Sequence, residues 1–222
     1  MDRIPEKELM DDVEQAEAYA SADFSVPHDL FVELFQEKFS DIDPGFNDVV
    51  LDLGCGSCDI TRRFSKAYPD ASFHAVDGAV EMLRLGHKIN TIDGLSSKIR
   101  LVETNLPKPD LPLASYHIII CNSLLHHLKN HFDLWQAIKT HAKPYAHVFV
   151  MDLIRPVDEQ SVQFLVNEYA ASEPDILKQD FENSLRAAYT AKEVKQQLDE
   201  MNLTTLQVEE VSDRHMIIFG TL

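Results

Sequence analysis

The chain has 222 residues, 45% of them hydrophobic, and its 37 acidic side chains against 20 basic ones leave a formal net charge of -17. That length accommodates one globular domain with a sizeable core. The basic clusters that displace counterions from a phosphate backbone are missing, which excludes nucleic acid and an anionic membrane surface as partners.

The opening segment, MDRIPEKELMDD, is too acidic and polar for a signal or transit peptide. No apolar run is long enough for a bilayer, so a cytoplasmic location is expected. Residues 8–39 read as two helices. Leu9, Val13, Ala16 and Ala20 keep one face of the first apolar, and Leu30, Phe31, Leu34 and Phe35 do so in the second. Asp41-Ile-Asp-Pro-Gly45 then breaks the pattern, closing an N-terminal helical cap over 1–45.

A different rhythm starts at Val49. Short apolar runs at 49–53, 72–76, 99–103, 116–121 and 147–151 alternate with helical patterns near 58–68, 79–90 and 131–142. Buried parallel strands joined by helical crossovers have this signature. Residues 155–201 form a helical insertion. Val162, Leu165, Val166 and Tyr169 mark its first helix, and Ile176, Phe181, Leu185 and Ala188 its second. Thr190 and Glu193 form a capping box that opens a third. Two runs close in sequence, 203–208 and 215–219, predict an antiparallel pair at a sheet edge. The insertion, set near the carboxyl edge of the sheet, is expected to be a lid.

The segment Val49-Val-Leu-Asp-Leu-Gly-Cys-Gly-Ser-Cys-Asp59 is the most informative. A buried strand runs into Gly54-Cys-Gly56, and a helix follows. Such glycines let backbone approach a ligand, and the helix start offers free N–H groups. A dinucleotide loop would place a third glycine where this chain has Asp59, and Asp52 would repel a pyrophosphate. A carboxylate at Asp52 suits a cationic ligand, such as an ammonium or a sulfonium. Cys55 and Cys58 form a C-x-x-C without a second ligand pair, so neither zinc nor any other metal is expected. The third cysteine, Cys121, stands apart, and a disulfide framework is excluded.

On these residues the chain resembles the class I S-adenosylmethionine-dependent methyltransferases over about 49–152. The resemblance implies a Rossmann-like α/β fold, with a mostly parallel seven-stranded sheet, helices on both faces and an antiparallel last strand. It assigns Asp52, Gly54, Cys55 and Gly56 to the amino acid part of the cofactor. In Val76-Asp77-Gly78, Asp77 would accept from the ribose hydroxyls, the alternative being an ordinary helix N-cap. Asn105 and Leu106 would face the adenine, Asn105 standing where many members have Asp. Cys121 and Asn122, in Cys-Asn-Ser-Leu-Leu-His-His-Leu128, would lie near the methionine part. Tyr19 would close over the cofactor or serve as a core tyrosine. The Gly-Gly turn usual before the fifth strand is replaced by Lys143-Pro-Tyr-Ala-His147. The tail, from Asp152-Leu-Ile-Arg-Pro156 to Tyr189, is similar to a subgroup of bacterial methyltransferases.

Methyl transfer needs positioning and exclusion of water, with a base only where the acceptor must lose a proton. His126 is the expected base, with His127 packed away as a structural residue; the alternative leaves both structural. The acceptor, a small molecule, is expected between the N-terminal helices and the insertion. Arg155, Arg186 and Tyr189 would bind it, or the two arginines would pair with surface acids. Competing readings are an NAD-dependent oxidoreductase, disfavoured by Asp52 and Asp59, and a methyltransferase-like binding protein without turnover.

Overall fold

The computed structural model describes residues 1–6, 11–107 and 109–222. The first strand, β1 (Val49–Leu53), is buried along nearly its whole length, as its unbroken apolar run requires. It lies parallel to β2 (Ser72–Asp77) on one side and to β4 (Tyr116–Asn122) on the other. β3 (Ile99–Glu103) extends the sheet beyond β2, and β5 (Ala142–Leu153) extends it beyond β4. β7 (His215–Thr221) runs antiparallel against β5, and β6 (Gln207–Glu210) antiparallel against β7. The order is β3-β2-β1-β4-β5-β7-β6. Connections lead outward in opposite directions from β1 and β4, which opens a crevice beyond their carboxyl ends.

Alternation along each strand divides the core between the two faces of the sheet. Ile118 and Ile120 of β4 point to one face, where α2 (Ser25–Lys38), α3 (Asp59–Ala67) and α4 (Val80–Ile92) contribute Phe31, Phe35, Phe64 and Leu83. The rings pack edge to face there, Phe31 on Phe149 with centroids 4.9 Å apart and Phe35 on Phe64 at 4.7 Å. Ile119 and Cys121 point to the other face, toward α5 (Phe132–His141) and α8 (Ala191–Glu200). Trp135 is fully buried there, and its indole N–H donates to Gln197 Oε1 at 3.0 Å. α8 opens on the Thr190–Glu193 capping box expected from the sequence.

α1 (Val13–Ser21) precedes α2, while α6 (Glu159–Tyr169) and α7 (Asp175–Ala187) precede α8. Leu9, expected on the face of the first helix, lies outside the described residues. Two boundaries differ from the periodicity. The apolar run at 203–206 is a buried turn rather than strand, with Leu203 N–H donating to Leu198 O at 2.8 Å, so β6 starts only at Gln207. At the missing Gly-Gly turn, α5 passes directly into β5. Tyr145 there adopts φ 65 and is 81% exposed, and its N–H donates to Leu222 O.

Phe149→Ala should lower the unfolding free energy by about 3–5 kcal/mol, since it opens a cavity among Phe31, Phe35 and Phe39. Urea unfolding read by circular dichroism measures the loss.

Candidate functional site

The crevice beyond β1 and β4 is a cavity of about 350 Å3. The loop from β1 to α3 forms its floor and turns by a run of left-handed residues, Gly54 at φ 75, Gly56 at φ 51 and Cys58 at φ 66. A side chain at Gly54 would meet three atoms of Leu124 at 2.9 Å, so only glycine lets the two loops touch. The N–H groups of Gly54 and Cys55 both donate to Val76 O, at 2.8 and 2.9 Å. The close packing that a third loop glycine would provide comes instead from α4, where Gly86 lies against Ser57 and Cys58.

Asp77, at the end of β2, accepts from Gly56 N–H on one carboxylate oxygen and from Ala79 N–H on the other, both at 2.8 Å. Burial holds this carboxyl above its ordinary range against both donors. Ala79 is the N-cap of α4, so Asp77 serves the helix start and the glycine loop at once. Asp52 is 1% exposed and accepts from Thr61 Oγ1 at 2.5 Å; burial raises it to about 7. Asp59 pairs with His28 Nδ1 at 2.6 Å and with Arg63 Nε at 2.9 Å. Burial opposes its charge, but these partners hold it well below the usual carboxylate range.

Tyr19 stands on the opposite wall, its ring 4.7 Å from Phe24. Burial, then the charges of Asp59 and Asp77, push its phenol up to about 12. Thr104, Asn105 and Leu106 line the far side beyond β3, and Asn122 lines the end of β4. Asn122 Oδ1 is buried without a hydrogen-bond partner.

The cavity thus brings together Tyr19, Asp52, Gly54, Cys55, Gly56, Asp77, Gly78, Asn105, Leu106 and Asn122. Cys121 does not line it. The β alternation turns its thiol into the core on the Trp135 side, where burial pushes it well up. Burial does the same to the Cys55 thiol, and all three cysteines are free.

The two histidines exchange the places expected of them. His126 is 2% exposed and absent from the cavity wall, and its Nδ1 lies 2.6 Å from Asp152 Oδ1. Its ring does not line the cavity, so the structure gives the base role of His126 no support. His127 lines the cavity, and its Nδ1 is 3.2 Å from Glu6 Oε1. The β4–α5 loop passes through a short 3-10 turn at Leu125–His127, which sends consecutive side chains to different sides.

The acceptor-binding trio also fails. Arg155 is spent on Ala188 O and Glu193, and Arg186 on Glu159 and Glu182. Tyr189 packs into the core, with the Arg3 guanidinium 4.2 Å from its ring centroid. None of these three, and no other residue of 155–201, is among those lining the cavity. α7 instead packs on α1 and on the 3-10 turn, and Ser184 Oγ donates to Glu6 at 3.0 Å.

The wall includes residues the sequence did not single out, among them His28, Ser123, Leu124 and Asp133. Leu124 and Ser123 fall inside the recognised His-His stretch, where an early reading of the loop would have found them. His28 carried no signal of its own.

Residues 51–148 match the sequence family described as a methyltransferase domain. Over 95 residues the chain is 30% identical to the trans-aconitate 2-methyltransferase of Mycobacterium ulcerans, a match covering 41% of this chain and 33% of that protein. The chain therefore matches only about a third of the length of such curated relatives. In fold it is similar to a SAM-dependent methyltransferase from Aquifex aeolicus, with TM-score 0.66, 18% identity and coverage of 95% of this chain and 98% of the other. It is also similar to the plantazolicin methyltransferase BpumL in complex with SAH, with TM-score 0.73, 14% identity and coverage of 95% and 91%.

The raised Asp52 has a signed consequence for stability. Its proton is retained in the folded chain up to about pH 7 but lost from the unfolded chain near 4. Stability should therefore fall as pH rises from about 4 to about 7, by up to about 4 kcal/mol from this residue. Asp52→Asn keeps an acceptor for Thr61 and should flatten that decline, as read by denaturant unfolding across the window.

Proposed function

We propose that this chain, a class I S-adenosylmethionine-dependent methyltransferase by its fold and core sequence, transfers a methyl group to a small-molecule acceptor. The observation that carries the reading is the junction of a left-handed glycine loop with Asp77, which accepts from Gly56 N–H at the floor of a switch-point crevice.

The residues present fit the cofactor. Asp77 keeps lone pairs beyond the two it gives to backbone N–H groups, enough for a ribose diol. Asn122 Oδ1 is an acceptor lacking a donor, and a cationic amino acid group supplies one. Asp52, Gly54, Cys55 and Gly56 would hold the amino acid part, and Asn105 with Leu106 the adenine. When bound, S-adenosylmethionine supplies an electrophilic methyl group on a sulfonium. The chain's own contribution is placement and shielding. Tyr19, backed by Phe24, narrows the opening to water. His127 lines the cavity, with Glu6 Oε1 3.2 Å from its Nδ1.

The wall also bears on the acceptor. Among the described residues no lysine or arginine lines the cavity, so its wall offers an anionic group no cationic side chain. This supports a neutral or cationic acceptor. The tricarboxylate named for the curated relatives would need a cationic partner, and the match to those relatives covers too little of them to carry their acceptor over. Three free cysteines support a reducing, cytoplasmic setting; among the described residues no helix is long and apolar enough to cross a membrane.

S-adenosylhomocysteine should raise the melting temperature, a hundredfold excess over Kd contributing about 2.7 kcal/mol, while NAD should not. A shift with NAD alone would overturn the cofactor assignment. Asp77→Ala should weaken S-adenosylhomocysteine at least about tenfold by calorimetry; unchanged affinity would leave Asp77 a helix cap only.

A further inference from the structure

Three side chains beside the cavity converge on one point. Glu6 Oε1 lies 3.6 Å from His126 Nε2 and 3.2 Å from His127 Nδ1. One ligand atom from each of the three residues lies within 4.8 Å of the other two. Tetrahedral ligands on bonds of about 2.0–2.1 Å stand roughly 3.3 Å apart, so small side-chain adjustments bring the trio to a metal-binding geometry.

The surroundings of His126 are fixed by Asp152. Asp152 Oδ1 accepts from Leu153 N–H and faces His126 Nδ1, while Oδ2 accepts from Leu125 N–H. This carboxylate orients the His126 ring from its Nδ1 side and leaves Nε2 on the side of Glu6. His127 Nδ1 is buried without hydrogen-bond geometry to any partner, although Glu6 is beside it. A metal-bound histidine whose other nitrogen is held by a carboxylate is a recurrent second layer of metal sites.

The position of Glu6 is itself built. Arg3, in the same segment, donates to the carbonyls of His126, Leu128 and Ala187. Ser184 Oγ holds the same Glu6 oxygen at 3.0 Å. The two histidines leave the end of β4 and the carboxylate arrives from the N-terminal segment, so the trio exists only in the folded chain.

We propose that Glu6, His126 and His127 bind one divalent transition-metal ion of the zinc class, with Asp152 orienting His126 and the open coordination position facing the cavity past His127. Two imidazoles and a carboxylate suit zinc, cobalt or nickel over magnesium or calcium. The open position takes water or an oxygen or nitrogen of a small molecule in the cavity. The expectation of a metal-free chain was drawn from the cysteines, whose buried thiols are poor ligands, and did not weigh these histidines.

The site stands independently of the methyltransferase reading, and its test uses cobalt(II) alone on the chelator-stripped full chain. One equivalent should develop visible d–d absorption without thiolate-to-metal charge transfer, and zinc should displace it stoichiometrically. Glu6→Gln and His127→Ala should each weaken binding at least tenfold. Glu6→Gln is nearly isosteric and keeps an acceptor for Ser184, so it reports on the site even where His127→Ala fails to fold. Absence of saturable binding would overturn the site. So would binding that survives both substitutions in folded protein, or a charge-transfer band assigning the ion to Cys55 and Cys58.

Discussion

Asp77 holds two pieces of backbone that arrive from different crossovers. One oxygen takes Gly56 N–H from the β1–α3 loop and the other takes Ala79 N–H at the start of α4. Removing either donor would leave a buried carboxylate short of a partner, which is the costly case for a polar group in a protein interior. The carboxylate therefore fixes where the glycine loop sits relative to β2. The loop in turn decides where Leu124 can lie, because the absent side chain of Gly54 is the space that Leu124 occupies. From there the chain runs on into the two histidines, so the glycine loop and the histidine pair share one chain of contacts.

The acids around the cavity look like a large negative charge and are not one. Asp52 keeps its proton to about pH 7. Asp59 is neutralised by His28 and Arg63, and Asp152 is surrounded by two backbone donors and a histidine. Burial with dedicated partners is what lets acids stand this close without mutual repulsion. A positively charged ligand then meets a wall whose charge is set locally rather than by the formal -17 of the chain.

The sheet was legible because each buried strand is a short apolar run and each crossover a helical pattern, so order and parallel pairing followed from general rules. The residues proposed for the cofactor were legible as a group for a related reason: Asp52, the glycines, Asp77 and Asn105 sit at strand ends, where position in the sequence is position in the crevice. Cys121 was misplaced by one residue of alternation, since its neighbour Asn122 points the other way. The turn at 203–206 was misread because buried leucines at that spacing look the same in a turn and in a strand.

His126 and His127 show where one-dimensional reading stops. They stand four and five residues past the end of β4 at Asn122, and nothing in the sequence says which of them turns inward. That choice is made by Asp152, 26 residues later on β5, whose carboxylate captures His126 and leaves His127 to face the cavity. Arg155 and Arg186 offer themselves for the acceptor in the sequence because Glu193 and Glu159, their partners, lie far from them along the chain. Glu193, Glu159 and Glu182, which claim them, are visible only once α6, α7 and α8 are packed. Glu6 is further still, reaching His127 across most of the chain's length in sequence. The histidine edge is a product of tertiary contacts between distant segments, whereas most residues proposed for the cofactor fall between residues 52 and 122. An acceptor site assembled this way can change with substitutions in the N-terminal segment or α7 while the glycine loop and Asp77 stay fixed. That division is the physical reason a core match such as 51–148 identifies the cofactor machinery and leaves the acceptor to the residues around it.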